Sequence, residues 1–231
     1  MISIIIPAHN EKDNLEELLP LLTKKENGNG AFEVVIAQSP KNSDGTEQLA
    51  PIPNVRFLQC ENQGRAGQMN EAAKWAKGNV LAFLHADVRP PATFLEDIKT
   101  TVNKGFDAGF FSYRFDKDNK LLKINASFTS KDGIFTGGGD QCLFIKKEVF
   151  KKLGAFDEKQ VLMEDFEFFK RMKKNKVPYK IIKNDLVVSA RKYEQNSYVR
   201  VNLSNLLLVV LFKLGYPPKK LKSLHNRLIR A

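Results

Sequence analysis

An acid and a histidine follow an apolar segment in the first half of the chain. Asp87 and His85 come directly after the predicted strand Val80–Leu84. An aspartate at the end of a strand can hold Mg²⁺ or Mn²⁺ against a diphosphate, whose oxygens and water complete the metal shell. In an extended segment His85 shares a face with Asp87 and can bind metal or nucleotide. The alternatives are a helix-capping Asp87 and a His85 bonded to backbone.

A pair of acids opens a predicted helix in the second half of the chain. Glu164 and Asp165 precede the helical pattern Phe166–Asn175. Carboxylates at a helix N-terminus are stabilised by the helix dipole, and that alone explains a pair. A carboxylate fixed on a rigid element is also ionised near neutral pH and can act as a general base toward a hydroxyl. Both interpretations stay open at this point.

A glycine-dense segment at residues 137–141 precedes a predicted strand. Such a segment lets the backbone approach a ligand closely, or it only makes a bend. Within it, Asp140 and Gln141 can hydrogen-bond sugar hydroxyls. No Lys-Ser or Lys-Thr pair follows, so the segment is not a Walker phosphate loop.

Two arginines are candidates for a phosphate site. Arg65, preceded by Gly64, opens an alanine-rich helix whose backbone N–H groups can join the guanidinium in binding an anion. Arg191 follows a predicted strand that ends at Ala190, and it can grip a diphosphate. A solvated basic edge is the alternative for Arg191.

The elements that must position these residues alternate between strand and helix. This order predicts an α/β fold with a mostly parallel sheet and right-handed crossovers. Ligands of such sheets lie at the carboxyl ends of strands, which here precede Pro7–Glu11, Gln38–Gly45 and His85–Arg89. The predicted strands are Ile2–Ile6, Phe32–Ala37, Asn54–Gln59, Val80–Leu84, Ala108–Phe115, Cys142–Ile145, Val177–Ile182 and Leu186–Ala190. Predicted helices include one capped by Asp13 and shortened or kinked by Pro20, then Ala92–Lys104, Glu148–Leu153, Phe166–Asn175, Ser197–Lys213 and Lys219–Arg230.

The C-terminal part of the chain is predicted to be helical and basic. We expect a main domain over residues 1–195 and a basic helical extension over 196–231, with no linker and no internal repeat. The helix over Ser197–Lys213 has an apolar stripe that can cover the core, form a homodimer or lie on an anionic membrane. Core or dimer packing is the more common outcome for such a stripe. Its members are Leu203, Leu206, Leu207, Val210 and Leu211.

Composition and charge exclude several classes of protein. The 231 residues are 42% hydrophobic and 27% charged, which excludes collagen-like and disordered chains, and two cysteines do not suggest a disulfide scaffold. The net charge of +11 requires nucleic acid, an anionic membrane or a phosphate-bearing ligand as partner. Nucleic acid ranks last because no DNA- or RNA-binding signature is present. No secretory signal or apolar run of about 20 residues is visible, so a cytoplasmic or peripheral protein is expected.

Taken together, these segments resemble the family 2 glycosyltransferases of the GT-A fold. The segment 4–11 resembles their first strand and nucleotide-binding turn, and 43–46 resembles the end of their second nucleotide loop. The segment 62–70 resembles the stretch beneath the diphosphate. The segment 85–87 stands where the family has its Asp-x-Asp metal motif, and 163–165 where it has the acidic pair containing the base. A bacterial subgroup often labelled as arsenosugar-biosynthesis glycosyltransferases shares the Leu-His-Ala-Asp and Met-Glu-Asp forms of the two motifs.

The resemblance implies inverting transfer of a sugar from a nucleoside-diphosphate sugar to an acceptor hydroxyl. Asp165, beside Glu164, would deprotonate the acceptor, while a divalent metal at Asp87, with Arg65 and Arg191, would neutralise the leaving diphosphate. Gln38 stands where the family has an acid that reads the nucleobase, and only one acid remains in the metal motif. The alternative is a non-catalytic nucleotide-sugar-binding protein. The residues expected to bind the nucleotide sugar are Pro7, His9, Glu11, Gln38, Arg65, His85, Asp87 and Arg191, with Asp140 and Gln141 at the sugar or acceptor.

Overall fold

The computed structural model describes residues 1–23, 32–49 and 51–229 and contains an eight-stranded mixed sheet. The strands are β1 (Ile2–Ala8), β2 (Phe32–Gln38), β3 (Val55–Gln59), β4 (Val80–Phe83), β5 (Val88–Arg89), β6 (Ala108–Phe115), β7 (Phe144–Lys146) and β8 (Tyr179–Val188). Their spatial order in the sheet is β3-β2-β1-β4-β7-β6-β8-β5.

The first half of the chain forms the parallel part of the sheet. β1 pairs in parallel with β2 and β4, and β2 with β3. β7 then joins β4 in the antiparallel direction and connects it to β6, which pairs in parallel with β8. The carboxyl ends of β1, β2 and β4 therefore meet at one edge, where the loops after these strands lie side by side.

Helices cover both faces of the sheet. The helices are α1 (Lys12–Thr23), α2 (Arg65–Trp75), α3 (Phe94–Asn103), α4 (Lys120–Ser127), α5 (Lys147–Lys152), α6 (Glu164–Lys174), α7 (Arg191–Gln195), α8 (Tyr198–Lys213) and α9 (Pro218–Leu228). One core cluster packs α1 and α3 against the sheet through residues such as Leu15, Leu18 and Ile98. The other packs α2, α5 and α6 on the opposite face and includes Met69 and Phe168.

Several local predictions differ from the structure. Helix α1 begins at Lys12, so Asp13 lies in its first turn and not at the cap, and the helix continues past Pro20 to Thr23. The two strands predicted after residue 177 are one long strand, β8, and residues 191–195 form a short helix. Arg230, the predicted end of the last helix, lies outside the described residues.

Within the described ranges, every helix is too short or too polar to cross a lipid bilayer.

Candidate active site

The loops after β1 and β2 are joined by one carboxylate. Asp44 accepts hydrogen bonds from the backbone N–H of Lys12 at 2.7 Å, from Asn42 Nδ2 at 2.8 Å, and from the Thr46 hydroxyl at 2.6 Å. Partial burial disfavours its charge, but these hydrogen bonds outweigh burial and lower the pKa of Asp44 to about 2. Asn10 adds a second link by accepting from the backbone N–H of Ser43 at 2.9 Å. The two loops are thus held as one unit.

The predicted nucleotide-binding residues Pro7, His9 and Glu11 lie at the end of β1 and on the loop that follows it. Pro7 is in β1, paired with Ala37 of β2. His9 follows the end of the strand and is exposed, so it faces solvent at the sheet edge. Glu11 precedes α1 and accepts a hydrogen bond from Asn14 Nδ2 at 2.6 Å. The exposed imidazole is the most accessible of the three side chains.

Gln38 is buried at the last position of β2 and has an unsatisfied donor. Its side-chain Nε2 has no hydrogen-bond partner among the residues that the structure describes, while its backbone carbonyl accepts from the N–H of Cys60 at 3.0 Å. Buried polar atoms without partners are rare in folded proteins and costly. Next to it, Gln68 of α2 donates to the carbonyls of Ala8 and Ala37 at 3.0 and 2.7 Å, and so fixes α2 against the strand ends.

Arg65 occupies the first position of α2 and connects two predicted parts of the site. Its Nε donates to Glu164 of α6, a buried carboxylate, and its Nη1 lies 3.2 Å from Nε2 of His85. A guanidinium only donates, so a neutral His85 accepts at Nε2 and carries its proton on Nδ1. Residues almost a hundred positions apart, Arg65 and Glu164, therefore meet at this edge of the sheet.

Asp140, His85 and Asp165 converge on Gly139. His85 Nδ1 lies 3.4 Å from Asp140 Oδ1. A Cβ added at Gly139 would collide with Cε1 of His85 and would lie 2.7 Å from Oδ2 of Asp165. The glycine is required because the imidazole and the carboxylate close against its backbone. Met163, directly before the acidic pair, has a left-handed backbone with φ of 64°, which is a strained conformation for a residue with a side chain.

The environment of Asp165 raises its pKa. Burial disfavours the charged form and the adjacent charge of Glu164 adds repulsion, so the pKa of Asp165 rises to about 7 although Arg65 and His85 oppose the shift. For His85, burial and Arg65 lower the pKa, but Asp140 and Asp165 raise it by more, and the net pKa lies above its usual value. Burial and neighbouring charges therefore shift the pKa values of both groups upward, and perturbed pKa values of this kind are common at functional sites.

Asp87 lies beside Arg191, whereas the nearby His85 contacts Arg65. The backbone N–H of Val88 donates to the carbonyl of His85 at 3.2 Å, so residues 85–88 form a turn and not the extended segment predicted. The turn directs Asp87 toward Arg191, whose Nη2 lies 3.6 Å from Oδ2 of Asp87. Asp87 does not cap a helix, because α3 begins only at Phe94.

Gln141 was predicted to contact a sugar, but its side chain hydrogen-bonds the protein backbone instead. Its side chain is buried, and its Oε1 accepts from the N–H of Gly137 at 3.0 Å. Its Nε2 donates to the carbonyls of Thr129 and Phe111 at 3.0 and 3.3 Å. All of these partners are backbone groups, so the amide shapes the glycine-rich segment from beneath and has no free group for a ligand.

Two further side chains, Tyr113 and Lys192, interact with Asp140, and a third, His225, interacts with Lys192 and Arg65; the sequence prediction did not include them in the site. Burial raises the pKa of Tyr113, and the charge of Asp140 adds to the shift. Burial lowers the pKa of Lys192, although Asp140 opposes it. Burial, Lys192 and Arg65 all contribute to lowering the pKa of His225, in α9. No spacing in the sequence marks Tyr113 or His225, because a strand tyrosine and a histidine in a basic helix are both ordinary.

The sheet with helices on both faces and the acids gathered at its edge define a GT-A fold. The chain belongs to glycosyl transferase family 2, whose sequence profile matches residues 3–174. An uncharacterized glycosyltransferase of Haemophilus influenzae is 27% identical over 222 residues, which cover 89% of this chain and 73% of that protein. The predicted family and fold class are therefore confirmed, and the chain is a glycosyltransferase. The subgroup stays a prediction.

Two solved structures share the fold. TarS 1–349 of S. aureus, in complex with UDP-GlcNAc, matches with a TM-score of 0.67 at 17% identity, over 98% of this chain and 71% of TarS 1–349. The mannosyltransferase PcManGT from Pyrobaculum calidifontis, in complex with GDP-Man and Mn²⁺, matches with a TM-score of 0.66 at 18% identity, over 98% of this chain and 68% of PcManGT. This chain is thus shorter than the proteins it resembles.

Proposed function

We propose that this protein is an inverting glycosyltransferase that moves a sugar from a nucleoside-diphosphate sugar to an acceptor hydroxyl. The observation that carries the proposal is the position of Asp165: a nearly buried carboxylate at the head of α6, packed against Gly139 and His85, with its pKa raised to about 7. The nucleotide sugars held by the two similar structures support the donor class.

Asp165 serves as the general base in this proposal. An ionised Asp165 accepts the proton of the acceptor hydroxyl. The hydroxyl oxygen of the acceptor attacks the anomeric carbon at the same time, and the diphosphate leaves from the opposite face. The bond from sugar to diphosphate breaks as the new glycosidic bond forms, so the anomeric configuration inverts and no covalent enzyme intermediate forms. A base of this kind contributes on the order of 10²–10⁴-fold to the rate.

Arg65 and Arg191 neutralise charge on the leaving diphosphate. Both lie at the sheet edge that carries the acids, and the Arg65 side chain is 40% exposed, so it can turn part of its donor set toward an anion. Glu164, buried against Arg65, positions the guanidinium. Preorganised charges at a developing anion are usually the largest contribution to catalysis.

The donor set at Asp87 fits one kind of divalent metal site. The described ranges contain no group of three or more acidic, histidine or cysteine side chains able to hold an ion, so a metal here cannot be held by protein alone. The partly exposed Asp87 carboxylate suits Mg²⁺ or Mn²⁺ with a shell completed by diphosphate oxygens and water. Such an ion, when bound, supplies positive charge to the leaving group.

The nucleotide is assigned to the joined loops after β1 and β2. The unpartnered Nε2 of Gln38 can donate to a nucleobase carbonyl, which would satisfy a buried group that the protein leaves unpaired. His9 and Glu11 lie on the adjacent loop, and Pro7 lies at the end of the strand before it. On the sugar side Asp140 keeps its predicted role, because half of its side chain is exposed, whereas Gln141 is left out of the proposed contacts.

A panel of nucleoside-diphosphate sugars with Mn²⁺ or Mg²⁺ tests the proposal. We expect nucleoside diphosphate release with at least one donor, and a product whose anomeric configuration, read by NMR, is opposite to that of the donor. Retention of configuration would contradict the mechanism. Donor binding measured by calorimetry, without turnover on any hydroxyl acceptor, would favour the alternative of a non-catalytic nucleotide-sugar-binding protein.

A further inference from the structure

Helix α8 carries two apolar faces, and the described part of the chain covers one of them. Its inner face packs on the protein through Val201, Leu208 and Val209, which are buried. Its outer face repeats apolar residues every three or four positions, the spacing of a single helical stripe. These side chains are between 41% and 62% exposed, and they are Val199, Leu203, Leu206, Leu207 and Val210.

Helix α4 extends this exposed surface. It lies beside α8, since Asn125 donates to Asn202 at 2.8 Å and accepts from the Tyr198 hydroxyl at 2.7 Å. Its outward residues also follow a helical spacing and are exposed by between 46% and 60%. They are Leu121 and Ile124, together with Phe128 directly after the end of α4. We call the exposed residues of α4 and α8 the apolar platform.

The charges around the platform have one sign along α8 and α9. From Arg200 to the end of the chain there is no acidic residue. Lys213 closes the stripe at the carboxyl end of α8, and the loop and helix beyond it add further cations. The exposed basic residues of α9 are Lys219, Lys220, Lys222 and Arg227. An apolar stripe bordered by lysine and arginine is the composition of helices that lie in the interface of anionic membranes.

We propose that the apolar platform docks this protein onto the surface of an anionic lipid bilayer. The apolar side chains enter the boundary between headgroups and acyl chains, and the neighbouring cations contact lipid phosphates. The charge pattern favours a membrane over a second copy of this chain, because two copies joined through α8 would bring their basic ends together without acids to pair them.

The platform lies beside the proposed active site. The ring of Phe212, near the carboxyl end of α8, is 6.4 Å from the ring of Phe166, the residue after Asp165. Docking would therefore bring the start of α6, which carries Asp165, close to the bilayer surface. The docking proposal itself does not rest on the proposed catalytic function, since lipid binding can be measured without donor or acceptor.

Vesicle flotation tests the proposal. The full chain is mixed with vesicles of phosphatidylcholine alone or of phosphatidylcholine with phosphatidylglycerol, and bound protein is quantified at increasing salt. We expect binding only to the anionic vesicles, weakening as salt is raised. Leu203→Glu and Leu207→Glu should each weaken binding by roughly tenfold or more, because a buried leucine contributes about that factor and a glutamate is repelled.

A matched control distinguishes binding through the apolar platform from nonspecific adsorption to the vesicles. Trp75, 63% exposed at the end of α2, lies outside the platform, and Trp75→Glu should leave vesicle binding unchanged. Circular dichroism shows whether each variant is folded. If a variant fails to fold, Leu207→Trp in a Trp75→Phe background reports insertion by a blue shift of its emission with anionic vesicles. Absence of flotation, equal loss in Trp75→Glu, or a lipid-free dimer that Leu203→Glu converts to monomer would overturn the proposal.

Discussion

At the scale of single residues, the two acids at the start of α6, Glu164 and Asp165, have different surroundings. Glu164 accepts a hydrogen bond from Arg65, whereas Asp165 lies against the backbone of Gly139, which His85 also approaches. Adjacent carboxylates with different surroundings acquire different proton affinities. This difference lets one acid position an arginine while its neighbour exchanges protons.

The raised pKa of Asp165 predicts the pH dependence of catalysis. Below about pH 7 the carboxyl is protonated and cannot accept a proton, so kcat/KM should rise about tenfold per pH unit below that value and level off above it. The profile is obtained from initial rates of nucleoside diphosphate release, measured between pH 5 and pH 9 at intervals of about one pH unit. A rate that is flat across this range would contradict the assignment.

The same shift has a consequence for stability. The folded pKa of Asp165 lies above its ordinary value of 3.8, so the folded state binds the proton more tightly than the unfolded state between 3.8 and about 7. Stability contributed by this group is therefore complete below 3.8 and is lost as pH rises toward 7. Asp165→Asn should remove that part of the pH dependence.

Gly139→Ala should damage catalysis more than folding. Its Cβ would meet His85 and Asp165, and displacing catalytic groups by about 1 Å costs roughly a hundredfold in rate. Gly133→Ala is the matched control, because a Cβ there meets nothing within 4 Å and the residue belongs to the same long connection. The sugar-transfer rate and the thermal unfolding of both variants test this prediction. Equal transfer rates in Gly139→Ala and Gly133→Ala would show that position 139 does not require glycine.

Sequence reasoning found the acids of the site but not all of their surroundings. Asp165, His85 and Arg65 were predicted from their places after strands or at helix starts, and the structure brings them together. The amide of Gln141 was predicted to face a sugar, but burial turned it toward backbone carbonyls. Whether a polar side chain faces the cleft or the core depends on packing that a local pattern does not contain.

At the scale of elements, Asp44 determines whether the first two loops behave as one unit. Asp44→Ala removes the carboxylate that accepts hydrogen bonds from Lys12, Asn42 and Thr46. It should lower the free energy of unfolding by about 1–3 kcal/mol and weaken nucleotide binding. Because the folded pKa is about 2, the stabilisation is present above 3.8 and is lost as pH falls toward 2.

Glu47→Ala is the control for this prediction, since Glu47 is exposed in the neighbouring turn, and it should change stability by less than about 0.5 kcal/mol. Urea denaturation measures both variants, and calorimetry measures nucleoside diphosphate binding. Matching stabilities for the two variants would show that the hydrogen bonds of Asp44 contribute little.

The strands of the parallel half were predictable because β-branched runs end at Pro7 and at polar residues. β8 was divided in two because the polar run 183–185 interrupts its apolar pattern, although the backbone continues as one strand. α4 was missed although Asn119 caps it, accepting from the N–H of Leu121 at 2.8 Å. A cap without a strong inward apolar face gives a weak signal, and most of the apolar side chains of α4 point outward.

At the scale of the whole molecule, α8 packs the C-terminal part of the chain against the rest of the protein. Val201 is fully buried and Val199, two positions earlier, is 62% exposed. Val201→Ala should cost about 2 kcal/mol of unfolding free energy, whereas Val199→Ala should change it by less than about 0.5 kcal/mol. A single cooperative unfolding transition in both variants is expected. A loss of the same size for the two valines would mean that α8 does not pack on the protein as described.

Asp165→Asn tests the central claim most directly, with nucleoside diphosphate affinity and transfer rate measured on the same preparation. The amide keeps the shape of the side chain but cannot accept the proton, so the rate should fall by about 10²–10⁴-fold while affinity changes less than about threefold. Asp118→Asn, at a side chain 85% exposed, should keep both values. An Asp165→Asn variant that transfers sugar at the unmodified rate would contradict the account.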